Sequence, residues 1–145
     1  MAALVPLAVL SLAASGEIPP VPRPTLSGET EQSLPVSLTV DRDSAGWRIA
    51  YRERCSDGST ARGRSSSGGG TPRLRLRADG SFALVRTEPT SVVGGGTGTV
   101  RLTLRGRLAG GNASGTWSVR ATLRRGSAAP ITCTSGSVGW RAARG

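Results

Sequence analysis

Three kinds of side chain in this sequence could do chemistry: two cysteines, nine carboxylates and nineteen basic residues, all of which are arginine. Cys55 and Cys133 could form a disulfide, a reactive thiol pair or part of a metal site. The absence of histidine and of a CxxC spacing leaves the metal reading without further ligands, so a single bridge is the expected state. Lack of histidine also removes the Ser-His-Asp and Cys-His machineries. Among the acids, Asp41 and Asp43 come nearest to a calcium loop, but Ala45 and Arg52 stand where that loop needs oxygen ligands. A turn is the expected role. Glu53, Asp57, Asp79 and Glu88 are the acids from which a glycosidase-like pair could be drawn, although their spacing does not single one out.

Nineteen arginines against nine acids give a formal net charge of +10 and a sequence pI near 11.7. A guanidinium is a planar fork suited to phosphate, sulfate or carboxylate groups, so an arginine-rich surface suits an anionic polymer. The competing explanation is a GC-rich coding sequence, which favours arginine over lysine without any ligand. Arg73, Arg75, Arg77, Arg101, Arg105, Arg120 and Arg124 are the candidates for an anion-binding surface, because each alternates with apolar neighbours and so faces outward.

That alternation also defines the elements that must hold them. Leu34, Val36, Leu38 and Val40 recur at every second position, followed by a polar turn over 41–46 and by Trp47, Ile49 and Tyr51. The stretch from Asp57 to Pro72 is rich in Gly and Ser, lacks apolar alternation, and reads as a loop. Leu74 and Leu76, then Asp79-Gly80, then Phe82 and Leu84 predict a hairpin. Val100, Leu102 and Leu104 predict a strand, which turns at Gly110-Gly111-Asn112 and pairs with the strand of Trp117, Val119, Ala121 and Leu123. Ile131 with Cys133, and Val138 with Trp140 and Ala142, complete the set. Seven to eight strands with no helix predict an antiparallel β-sandwich or partly closed barrel. Cys55 and Cys133 both fall on the inward phase. A bridge between them would contribute about 4.5 kcal/mol by restricting the unfolded chain.

Residues 1–15 resemble a signal peptide, with an apolar run too short to span a bilayer and no basic residue before it, as though the start were incomplete. Residues 16–26 form a Pro-rich linker, with four prolines in GEIPPVPRPT. The β domain is expected over 27–144. Trp47, Tyr51, Trp117 and Trp140 lie on the inward phase and read as core, not as a sugar-stacking platform.

Several short strings resemble a group of short exported actinobacterial proteins of uncharacterised role. They are Ser27-Gly28-Glu29-Thr30-Glu31-Gln32, Cys55-Ser56-Asp57-Gly58, Gly80-Ser81-Phe82, Gly106-Arg107-Leu108, Ala113-Ser114-Gly115-Thr116 and the run Cys133 to Ala142, CTSGSVGWRA. The resemblance implies a small β-sandwich with a cysteine pair and brings no catalytic residues. These readings together predict a non-catalytic, monomeric domain, secreted or associated with the envelope. It would need no cofactor or metal and would bind an anionic envelope polymer or extracellular polyanion. A carbohydrate-binding module and a carboxylate-only enzyme acting on glycans are the alternatives.

Overall fold

The computed structural model describes residues 23–91 and 95–145, so the leader expected over 1–15 and most of the linker fall outside the described residues. The described chain is all-β, with ten strands where seven to eight are expected. In chain order they are β1 (Thr25–Thr30), β2 (Pro35–Asp41), β3 (Ser44–Cys55), β4 (Thr60–Ser66) and β5 (Leu74–Arg75). β6 (Ser81–Ser91), β7 (Thr97–Ala109), β8 (Asn112–Arg124), β9 (Ile131–Thr134) and β10 (Val138–Arg144) follow. β1 begins two residues inside the stretch read as linker, because Leu26 is a core side chain. Among the described residues no helix is long and apolar enough to cross a membrane.

All pairings are antiparallel, in the order β10-β1-β2-β3-β9-β8-β7-β6, and an added β10–β8 pairing closes a six-strand barrel. Two long strands change partner along one edge. β8 pairs with β10 through Trp117 and then with β9 from Arg120, while β3 pairs with β2 through Ile49 and then with β9 at Arg54 and Cys55. Each change leaves backbone groups without a strand partner, and an unpaired buried amide is costly. Polar side chains fill both gaps. The Ser135 hydroxyl accepts the Val119 amide at 2.9 Å, and the Gln32 carboxamide both accepts from the Arg52 amide at 2.8 Å and donates to the Arg52 carbonyl at 3.1 Å.

Alternation places Leu26, Val36, Leu38, Trp47, Ile49, Leu102, Leu104, Trp117, Val119 and Trp140 in one continuous core. Trp117 is its centre, fully buried, with the rings of Tyr51 and Trp47 at 5.2 and 5.9 Å. Cys55 and Cys133 face each other in register and are joined by a disulfide, as expected. Close strand approach at the β1–β10–β8–β7 corner requires glycine. A Cβ on Gly115 would stand 1.8 Å from the Arg105 carbonyl oxygen, and one on Gly28 would stand 1.9 Å from that of Arg141.

Two local readings differ from the structure. The stretch 57–72 contains β4, which pairs with β3 from Arg48↔Ser66 to Arg54↔Thr60. It lacks apolar alternation because its inward positions are Ala61, Gly63 and Ser65, and the Tyr51 ring lies over Gly63, where a Cβ would meet it at 2.4 Å. The Asp79-Gly80 turn forms, with the Arg77 amide bonded to the Ser81 carbonyl at 2.9 Å, but β5 does not pair with β6. It pairs with β3 at Ser44 and Ala45, because this seats Leu74 in the core.

Replacing both cysteines by alanine is expected to lower stability by about 2–5 kcal/mol, read as the shift in a urea unfolding midpoint. Gly115→Ala is expected to cost about 2 kcal/mol or more in the same assay, since the neighbouring backbone must move. A midpoint unchanged by either substitution would contradict the closure described.

Candidate functional site: an outward arginine row

The outer face of the sheet is where β9 brings charge together. Reading across paired strands, Thr60 of β4 stands opposite Arg54 of β3, Arg54 opposite Thr134 of β9, Thr134 opposite Arg120 of β8, Arg120 opposite Arg101 of β7, and Arg101 opposite Thr87 of β6. Adjacent strands lie about 4.8 Å apart, so three guanidinium stems rise from one row within roughly 15 Å. On the same face, Arg52 of β3 stands opposite Arg62 of β4, and Arg64 follows Arg62 at the next outward position. All six arginines are exposed, and none forms an ion pair with a described residue. Like charges placed directly opposite repel, so Arg101–Arg120 and Arg52–Arg62 are unfavourable contacts for an isolated domain.

Of the seven arginines expected to face outward, all are exposed, and Arg101 and Arg120 are brought together. Arg105 and Arg124 share the outer face of β7 and β8, each four residues along its strand from that pair. Arg73, Arg75 and Arg77 belong to the separate β5 segment. Arg73 is fastened to the Ser44 hydroxyl at 3.1 Å and the Thr39 carbonyl at 3.4 Å, and Arg77 reaches the Ser81 hydroxyl at 3.4 Å. Arg52, Arg54, Arg62 and Arg64, which join this face, are not among the seven arginines expected from sequence. The Arg-Gly-Arg spacing at 62–64 was a usable signal, masked by the glycine and serine around it.

The acids are occupied elsewhere. Asp57 accepts from the amide and hydroxyl of Ser59, at 2.9 and 2.6 Å, and Asp79 does the same with Ser81. These hydrogen bonds hold both carboxyls below the usual range, the hydroxyl contributing most. Glu88 pairs with Arg86 at 3.2 Å. Glu53 is half-buried, and that burial raises its pKa. Burial also raises the pKa of the Tyr51 phenol; a hydrogen bond to Ser65 opposes this, while the charges of Glu53 and Glu88 add to it. No group of three or more metal-ligating side chains occurs among the described residues.

A groove of about 1180 Å³ crosses the outer faces of β1, β10, β8 and β7, at the opposite end of β8 from the arginine row. Its charges are mixed, from Glu29, Glu31, Arg107 and Arg141, and Glu31 is already bonded to the Gly139 amide at 2.9 Å. Trp47, Trp117 and Trp140 are each at most 4% exposed and offer no flat ring to a sugar. No protein-family model, curated protein or solved structure matches the chain.

Because the folded-state pKa of Glu53 is raised, its ionised form weakens the fold above that pKa, and the penalty is relieved as pH falls through it. Glu53→Gln is therefore expected to unfold at higher urea than the parent at neutral pH. The difference should vanish below the ordinary carboxylate range, where the parent is protonated in both states.

Proposed function

We propose that the protein is a non-catalytic, exported or envelope-associated β domain that holds an anionic polymer across the outer face of β7, β8, β9, β3 and β4. One observation carries the reading: Arg54, Arg120 and Arg101 share a row, with Arg52 opposite Arg62 beside them, and no described carboxylate neutralises any of them. Codon bias supplies arginines, but it does not select which of them become cross-strand neighbours. A bound polyanion turns the mutual repulsion of these side chains into joint attraction.

The surface chemistry narrows the ligand. Thr60 and Thr87 flank the row and Thr134 lies within it, and Val85 is the one large hydrophobic exposed among the described residues. Without exposed aromatic rings the face has no platform for nucleobases, which are normally stacked by proteins that bind single strands. Repeating phosphate or sulfate groups, recognised by charge and hydrogen bonds, fit the row better. Export agrees with the disulfide, which persists in oxidising compartments.

Inorganic polyphosphate is the probe. At low salt it is expected to bind, with affinity falling steeply and log-linearly as salt rises, because binding releases counterions from the polymer. The double variant Arg101→Ser/Arg120→Ser should bind roughly ten-fold or more weakly while unfolding at equal or higher urea, since it removes a like-charge pair. Absence of binding at low salt, or a double variant that binds as tightly as the parent, would overturn the proposal.

A further inference from the structure

Among the described residues, β6 and β4 are the two long strands with one edge unpaired, and they are built differently. β4 carries Arg62 and Arg64 on its outer face, the charged protection by which natural sheets prevent edge-to-edge association. β6 carries no charge on that face, and its edge proline, Pro89, lies to one side of the exposed stretch. Its outward residues are Ala83, Val85, Thr87, Pro89 and Ser91, an uncharged strip on a chain of formal charge +10. Val85 lies at the centre of its outer edge and is 47% exposed.

The hydrogen-bond phase defines how much of this edge is open. The Leu108 amide bonds the Gly80 carbonyl at 2.9 Å, and Gly80 precedes Ser81, which stands opposite Arg107. In an antiparallel ladder every second residue bonds the same neighbour, so the even-numbered residues of β6 bond β7 and the odd-numbered ones aim their N–H and C=O groups away from it. Pro89 fits this phase, since a proline there removes no bond to β7. At the other end the Ser81 carbonyl is taken by the Arg77 amide. Up to Pro89 the open donors are thus the amides of Ala83, Val85 and Thr87, a window symmetric about Val85.

We infer that this window is a homodimerisation edge: two copies pair β6 with β6 antiparallel about a two-fold axis through Val85. Ala83 of each copy then stands opposite Thr87 of the other, Val85 opposite Val85, and three adjacent pairs exchange backbone hydrogen bonds. A second copy fits better than an unrelated strand because the window is self-complementary. The β6 residues themselves add no net charge between the copies, since Arg86 is paired with Glu88. Pairing uses up the edge on both copies, so association stops at two, as an isologous contact requires. Pairing of this kind needs no ligand, and it would replace the monomer expected from sequence.

Sedimentation velocity of the full chain over a concentration series, without polyanion, tests it. The parent should move from monomer to dimer as concentration rises. Thr87→Pro removes one edge donor at the same phase as Pro89 and leaves the β7 ladder intact, and Val85→Arg places two like charges on the axis. Each should weaken association roughly ten-fold or more. If Thr87→Pro fails to fold, Val85→Arg decides alone. A Val85→Cys variant should also form a covalent dimer on mild oxidation, whereas Thr122→Cys, on the outer face of β8, should not. A parent that stays monomeric throughout, folded variants that associate like the parent, or equal cross-linking at positions 85 and 122 would overturn the inference.

Discussion

The four residues of β9 hold the structure closed. Among the described residues, β9 is the one element that ties the end of β3 to the last third of β8, through Cys55↔Cys133 on one edge and Ala121↔Cys133 on the other. So short a strand has few ladder bonds of its own, and the covalent link compensates by keeping it from detaching. The same element builds the outer face. Thr134 stands between Arg54 and Arg120, so without β9 those arginines would lie at opposite edges of an opened sheet. Interior closure and exterior charge therefore have one cause.

Several residues in the short strings such as Ser27–Gln32, Cys55–Gly58 and Cys133–Ala142 have an architectural task. Gly28 and Gly115 permit close crossing, and Glu31 binds the Gly139 amide. Trp140 packs against Phe82 at 6.0 Å, and Asp57 shapes the turn between β3 and β4. Gln32 and Ser135 close the two gaps where long strands change partner. These strings specify geometry. Arg52, Arg54, Arg62, Arg101 and Arg120 all lie outside them, on the outer face of the sheet.

Legibility in the sequence followed side-chain size. Where inward positions hold Trp, Leu, Ile or Val, as in β3, β7 and β8, the two-residue period reveals both strand and facing. β4 was invisible because its inward positions are Ala61, Gly63 and Ser65, small enough to admit the Tyr51 ring, and a small side chain on the core face looks like a loop residue. The hairpin expected after Leu74 failed for another reason. Asp79-Gly80 reverses the chain, yet a turn signal does not say which neighbour the incoming segment joins, and β3 offered a core position for Leu74 that β6 did not.

By itself the sequence determined the all-β class, the inward phase of both cysteines, hence their pairing, and the outward phase of the candidate arginines. These follow from the alternation of a single strand, which is a local property, and from there being two cysteines. Only the tertiary structure decided which arginines stand side by side and which edge stays open. Both depend on strand order and register, which arise from long-range packing around Trp117 and from the link at β9.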